Sequence, residues 1–385
     1  MTTVTDAPPV RATGSALRYR LLDQALAHGL LRDPLLRAGS RYGSWARERH
    51  EARGGISAQD RRLRALVEYM QCGPIAERTE AANQQHYELP PEFFRTFLGP
   101  RRKYSGCLWP AGTDTLAGAE EAMLSLTAQR AQVRDGMRIL DLGCGWGSLS
   151  LWLAERYPAA QVLAVSNSHA QRRTIEADRD HFGLDNLRVV TSDINEFAPN
   201  ERFDRVISIE MFEHMRNWRE LLHRISGWLE ADGRLFVHVF SHRYLPYAFE
   251  GTWAAERFFS GGMMPSHDLI ARFQEDLVLA ESWAIPGTHY ARTLEAWLRR
   301  LDQNRDRAQA ALEANGLSSR QARAALARWR LFLLSTREMW SYRHGDRWLV
   351  SHHLMRPRMS QADPQSQADP QSRADRPAHA AAEAG

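Results

Sequence analysis

Lysine is almost missing from this chain. Lys103 is the only one, and the other 49 of its 50 basic residues are arginine. The arginines are spread among 46 acidic residues, leaving a net charge of +4. That pattern describes a solvated surface rather than a polyanion-binding face, and no dedicated nucleic-acid-binding module is visible. Cysteine is also scarce. Cys72, Cys107 and Cys144 form an odd set without a CxxC pair, which excludes a disulfide framework and a thiolate metal centre. No uninterrupted apolar run approaches the length of a membrane span. The N-terminus, starting Met1-Thr2-Thr3-Val4, lacks the basic and apolar regions of a secretory signal. A cytoplasmic protein with no metal and at most peripheral membrane contact is expected.

What is present is an ordinary globular composition, 43% hydrophobic and 25% charged over 385 residues. The composition predicts disorder for residues 1–14 and for the tail 358–385, where the hexapeptide QADPQS occurs twice. Residues 15–75 carry helical spacing, with Leu17, Leu21 and Ala25 on one face. With the segment up to 136 they form an N-terminal cap. Its Arg-rich stretch 41–64 suits a helical cap or a homodimer surface better than anionic lipid.

From residue 137 short apolar strands alternate with helical runs, the pattern of a doubly wound, Rossmann-like parallel α/β sheet. Strands are predicted at 138–141, 161–166, 187–191, 204–209, 234–240 and 278–285. Long helices are predicted at 293–315 and 318–342, and 347–355 reads as a final edge strand, antiparallel to the rest. Residues 243–275, rich in aromatics around Gly261-Gly262-Met263-Met264-Pro265, read as an inserted lid within a domain spanning 137–357.

The first strand runs into Asp141-Leu142-Gly143-Cys144-Gly145-Trp146-Gly147 and then a helix. Glycines let a backbone pass close beneath a ligand, and the helix start offers free N–H groups. The spacing is not GxGxxG, and the preceding carboxylate of Asp141 suits an ammonium better than a pyrophosphate. Ligands in such sheets lie beyond the C-terminal strand ends. The second strand ends at Ser166-Asn167-Ser168, with Gln171 one turn on; no acid is present there, so the ribose of a nucleoside ligand would have to take its hydrogen bonds from Asn167 or Gln171. After the third strand, Asp193 can accept from an adenine amino group while Ile194 packs on the ring. A helix N-cap is the other role open to Asp193.

These blocks resemble the cyclopropane-fatty-acyl-phospholipid synthase superfamily of class I S-adenosylmethionine-dependent methyltransferases, and within it the coclaurine N-methyltransferase-like branch. The resemblance spans about residues 80 to 357. It is carried by QHYELP at 85–90, Lys103-Tyr104-Ser105, DLGCGWGSLSLWLAERYP from 141, SNS at 166–168, SIEMFEHM at 208–215, LFVHVFSH at 235–242, FFSGGMMPS at 258–266, HYARTLEAWLRRLD at 289–302 and RWLVSHHLM at 347–355. It implies that Tyr104 and Ser105 close over the methionine part of S-adenosylmethionine. Gly143, Gly145, Gln171, Asp193 and Ile194 would hold the cofactor with Asp141, Gly147 and Asn167.

Methyl transfer is an in-line displacement that depends on positioning, and an amine nucleophile must lose its proton. Glu213 and His214, after the fourth strand, are the candidates to take or hold it, with Glu210 as a second carboxylate. Lipid-cyclopropanating relatives use a bound bicarbonate as base. Its ligands are a cysteine directly after the Tyr-Ser pair, the FEH glutamate, a histidine on the next strand and a later tyrosine. Glu213, His238 and Tyr290 match the last three. The cysteine position is Gly106, and Cys107 comes one residue late, where an extended chain turns its side chain to the opposite face. That departure favours methylation of a small-molecule amine. Cyclopropanation or methylation of an unsaturated acyl lipid is the alternative, served by the same residues. Trp253, Phe258, Phe259, Met263, Met264 and Tyr290 would line the pocket, as a cage for a methylated ammonium or an acyl channel, or pack in the lid core. Cys107 and Cys144 read as packing residues.

Overall fold

The structure, a computed structural model, describes residues 15–77, 89–258 and 261–358. The terminal stretches 1–14 and 359–385, most of the 85–90 block and Phe259 lie outside the described residues.

Helices come first: α1 (Ser15–Ala27), α2 (Asp33–Glu51), α3 (Gly55–Tyr69), the single turn α4 (Pro91–Arg95) and α5 (Leu116–Arg130). Strand and helix then alternate through β1 (Arg138–Leu142), α6 (Ser148–Arg156), β2 (Gln161–Ser166), α7 (His169–Phe182), β3 (Leu187–Thr191), β4 (Phe203–Ile209), α8 (Trp218–Trp228) and β5 (Leu229–His242). The bounds of β1 to β4 fall within one residue of the sequence expectation, because strands buried on both faces read as continuous apolar runs, whereas β5 begins five residues earlier than expected. The sheet order is β3-β2-β1-β4-β5-β9-β8. The first five strands are parallel. Strand order reverses beside β1, which opens a crevice beyond the C-terminal ends of β1 and β4.

Between β5 and β8 (Leu277–Pro286) lie a two-stranded ribbon of β6 (Tyr247–Ala248) and β7 (Met263–Met264) and the short helix α9 (Trp253–Phe258). Then follow α10 (Gly287–Gln303), α11 (Arg305–Ala314), α12 (Ser319–Ser341) and β9 (Trp348–Pro357). The helix expected over 293–315 is therefore two. Asn304 leaves helical geometry at φ −107°, ψ 25°, and its amide donates to the carbonyls of Thr96 and Arg300. A short amide that bonds backbone carbonyls competes with helix propagation. β9 is antiparallel as expected but is not the edge. It pairs with β5 on one side and β8 on the other, and eight of its ten residues are buried. The edge is β8, which exposes Ala280, Glu281 and Ser282. Arg358, assigned to the tail by composition, is tied in: its N–H donates to Asp276 O at 2.8 Å.

The N-terminal helices are fastened by charge. Arg37 of α2 meets the buried Glu338 of α12 at 2.8 Å and Glu295 of α10 at 3.3 Å. Arg330 holds Asp33 through two bonds of 2.7 and 2.8 Å. Glu48 receives Tyr342 Oη and Arg347 Nε. Partly buried, bidentate and networked pairs of this kind resist screening better than isolated surface pairs. Among the described residues no helix is long and apolar enough to cross a membrane.

Gly147 sits at φ +77°, where a Cβ would lie 2.6 Å from Ile175 Cγ1 of α7. Gly147→Ala is expected to lower stability by roughly 1–3 kcal/mol through overpacking and a left-handed alanine, read as a drop in melting temperature. An unchanged melting temperature would refute this packing role.

Candidate active site

The three glycines after β1 all have positive φ, at 84°, 52° and 77°, and only one of them opens space. A Cβ on Gly143 would stand 2.9 Å from Met211 Sδ, and one on Gly147 would strike Ile175. A Cβ on Gly145 would meet nothing within 4 Å. The turn is anchored to β2 by the N–H groups of Gly143 and Cys144, which both donate to Val165 O. Gly145 thus floors a cleft whose walls include Gly143, Ser166, Asn167, Gln171 and Ile194. Its continuation passes Asp141, Tyr104, Ser105 and Lys103.

This cleft suits an amino-acid nucleoside such as S-adenosylmethionine. Asp141 lies at its back, 1% exposed, with Ser150 Oγ donating to Oδ2 at 2.5 Å. Burial pushes its carboxyl up to about 6, so a cation beside it would be strongly favoured. Ser148 Oγ and Gln171 Nε2 are buried in the cleft wall with no protein hydrogen-bond partner, which leaves a hydroxyl and an amide for a polar ligand. Two residues from the sequence expectation do not line it. Gly147 serves helix packing. Asp193 Oδ1 is taken by the N–H and amide of Asn195, at 2.8 and 3.0 Å, a turn-capping arrangement like the second role foreseen for it.

Glu210 stands where the cleft meets a second, larger cavity, and it lines both. Its backbone is left-handed, φ +47°, a costly conformation for a side chain that is not glycine. The N–H donating to His238 O at 2.8 Å helps hold it. The carboxylate collects donors from three separate elements. Gly106 N–H donates to Oε1 at 2.9 Å, Tyr290 Oη–H to Oε2 at 2.7 Å, and His238 Nε2 lies 3.3 Å from Oε1. Lys103, 1% exposed, donates to Ser105 Oγ and to Gly106 O at 2.9 Å, so its ammonium fastens the 103–106 strap and adds positive charge near Glu210. Burial raises the Glu210 carboxyl, while Lys103, Gly106 and Tyr290 pull it back down.

Glu213 is the opposite case. It is fully buried, and neither carboxylate oxygen has a protein partner. Burial, reinforced by the charge of Glu210, holds its carboxyl well above the usual range. His214 lines both the cleft and the cavity. Burial pushes its imidazole down to about 4, against the pull of Glu210, so it is neutral at physiological pH.

Three of the four positions that the resemblance assigned to a bicarbonate therefore do converge, but on a side chain of this protein, while Glu213 stays unpartnered. His238, Tyr290 and the residue after Ser105 all donate to Glu210. His238 itself is 0% exposed and lines neither cavity; it reaches the site through Glu210. Cys107 points away into the core, as its one-residue offset predicts, with its N–H on Thr293 Oγ1. A Cβ at Gly106 would come within 3.1 Å of the Tyr290 ring, so glycine admits the tyrosine to Glu210.

The larger cavity is about 920 Å³. Of the six residues foreseen, Met264 and Tyr290 line it. Trp253, Phe258 and Met263 pack in the core, with Trp253 Nε1 on Asp23 and Phe258 stacked on Phe332. The sequence reading missed the far wall, which is α2: Ser40, Gly43, Ser44 and Arg47 present a small and polar helix face to the cavity. Their i, i+3, i+4, i+7 spacing was the available signal. Arg47 spans from Glu51 to Glu250 O and covers the Tyr247 ring, joining α2 to the inserted segment.

A family model described as mycolic acid cyclopropane synthetase matches residues 76–344. (S)-Coclaurine N-methyltransferase of Thalictrum flavum subsp. glaucum is 36% identical over 291 residues, covering 74% of this chain and 81% of that protein. A crystal structure of coclaurine N-methyltransferase bound to N-methylheliamine and SAH matches with a TM-score of 0.84 at 33% identity, over 88% of this chain and 99% of that one. Cyclopropane-fatty-acyl-phospholipid synthase of Escherichia coli (strain K12) is 30% identical over 226 residues, 58% of this chain and 57% of that protein.

Two outcomes follow for the cleft. Gly145→Asp will abolish S-adenosylhomocysteine binding in calorimetry while the protein stays folded, its melting temperature lowered only by the strain of a left-handed aspartate, since its side chain has room only in the cleft; retained affinity would refute the placement. A cationic ligand needs Asp141 ionised, so affinity should be flat above pH 6. Below it, affinity should fall toward tenfold per pH unit as the carboxyl takes up a proton. Titrations between pH 5 and 8 check this against Asp141→Asn, which loses affinity and that acidic limb together.

Proposed function

The chain belongs to the mycolic acid cyclopropane synthetase family and is an S-adenosylmethionine-dependent methyltransferase, and we propose that it N-methylates a small-molecule amine with release of S-adenosylhomocysteine. The observation that carries this reading is the Glu210 carboxylate, bonded to Gly106, Tyr290 and His238. A free bicarbonate would need those same donors, and here they are already taken.

The cofactor supplies a methyl group on a sulfonium, ready for displacement. Asp141 would take the cofactor's ammonium, Asn167 and Gln171 its ribose, and Ile194 its adenine. Gly143 and Gly145 would let the backbone pass beneath it. Tyr104 and Ser105, fastened by Lys103, would close the strap that separates it from solvent. An amine arriving as an ammonium meets two buried carboxyl groups, and its charge favours the ionised form of both. Glu213, without a hydrogen bond of its own, is the group free to take hold of the amine N–H. His214, held neutral by burial, can accept the released proton on an imidazole lone pair, and Glu210 beside it stabilises the imidazolium that results. Glu210 and Tyr290 fix the amine's approach, His238 acts behind them, and the aromatic walls suit a methylated ammonium.

Part of the same proposal is a division of labour along the chain. Residues 15–136 cap the site, 137–357 carry the chemistry, and 243–275 act as a lid. The clasp of Tyr19 and Asp23 on Gly251, Trp253 and Arg257 supports that division. Three free thiols, one of them exposed, favour a reducing and hence cytoplasmic location.

Incubating the protein with methyl-labelled S-adenosylmethionine and a panel of cyclic and aromatic amines should yield labelled N-methyl product. Turnover restricted to unsaturated phospholipid would overturn the proposal in favour of the lipid reading. Glu213→Ala or His214→Ala should lower kcat by about 100-fold or more with little change in S-adenosylhomocysteine affinity. Wild-type turnover in both variants would remove these two residues from the mechanism.

A further inference from the structure

A continuous line of side chains runs from Glu210 to the protein surface. His238 on β5 and His352 on β9 are directly paired across the two strands, and both are 0% exposed. His352 Nε2 is 2.9 Å from His238 Nδ1, and Arg130 Nη1 is 2.9 Å from His352 Nδ1. Arg130 occupies the last turn of α5, half-buried, with its guanidinium 4.7 Å over the ring of Trp283 on β8.

The direction of every bond in this line follows from its outer end. A guanidinium can only donate, so His352 Nδ1 must accept. A neutral imidazole that accepts at Nδ1 carries its proton on Nε2, and that proton goes to His238 Nδ1. By the same rule His238 carries its proton on Nε2 and donates it to Glu210 Oε1. Both imidazoles stay neutral: burial first, then the surrounding positive charge of Arg130 and Lys103, opposes protonation of either ring.

We propose that Arg130 is a positioning residue for the methyl-transfer site, fixing the tautomers of His352 and His238 so that an N–H is permanently presented to Glu210. The proposal rests on the amine-methylation reading for its kinetic consequence but not for its structural content. A line with donors all pointing inward does not carry a proton out from Glu210, because His238 Nε2 is already occupied. It keeps Glu210 an ionised acceptor beside Glu213, so that of the two carboxyl groups Glu213 is the one left to hold the amine N–H whose proton passes to His214. Without Arg130, His352 is released to the other tautomer, and His238 Nε2 can turn a lone pair toward the carboxylate.

The test uses the full-length protein with 15N-labelled histidine, saturated with S-adenosylhomocysteine. His238 and His352 signals are assigned by their loss in His238→Gln and His352→Phe. In the wild type both rings should be neutral with the proton on Nε2, and in Arg130→Met the His352 signal should become a mixture of tautomers. In kinetics with the methylated amine, Arg130→Met should lower kcat about tenfold, the worth of one charge-assisted hydrogen bond. It should move the acidic limb of the kcat profile upward, with the amine KM and cofactor affinity unchanged. Lys103, Glu213, His214, Tyr290 and His238 also face Glu210 and are intact in this variant, so a shifted limb reports the line itself. Arg130→Lys, which keeps a donor, should restore the profile in part. An Nδ1–H or charged ring in the wild type would overturn the proposal whether or not any amine is methylated. So would an Arg130→Met enzyme with the wild-type limb. Failure of the amine panel with the wild-type tautomers as stated would instead overturn the methylation reading alone.

Discussion

A carboxylate taken out of water must be given donors, and the arrangement around Glu210 is organised by that requirement. Burying the ion costs several kcal/mol, and each hydrogen bond to a charged group returns roughly 1.5–3 kcal/mol. No single element carries enough donors. One comes from the strap after Lys103, one from α10 and one from β5. These segments lie far apart in the chain, so the site exists only once the cap, the sheet and the C-terminal helices have assembled around one side chain. The strained backbone of Glu210 belongs to the same account: its φ of +47° aims the carboxylate at the junction of the two cavities.

Glu210 and Glu213 show how neighbours with the same chemistry are driven apart. One accepts three hydrogen bonds and the other none. Like charges at short range cannot both ionise cheaply, so the better-solvated group keeps the charge and the other keeps the proton. Under the amine-methylation proposal an entering cation would reverse that balance, which couples substrate charge to proton release.

The sheet was legible because its signal is local. Apolar runs of five to seven residues, each followed by a helical period, mark β1 to β4 to within a residue. The glycine turn was legible for the same reason, although the roles within it were not. That Gly145 opens the cleft while Gly147 admits Ile175 is settled by a helix in contact only in three dimensions. The FEH segment was recognised, but the weight placed on Glu213 and His214 understated Glu210, whose partners are 104, 28 and 80 residues away. Arg130 lay outside every motif, and His352, although within the RWLVSHHLM block, was given no role there. The wall formed by α2 was hidden for another reason. Small and polar residues on a helix face look like a solvated surface until something is found opposite them.

The sole lysine has a practical consequence. Lys103 is 1% exposed and its ammonium is bonded inward. In the folded protein, an amine-reactive label or a lysine-directed protease has no side chain to attack. Opening the strap over the cleft would uncover a single site, so lysine-directed cleavage at one known position reports that opening against a silent background.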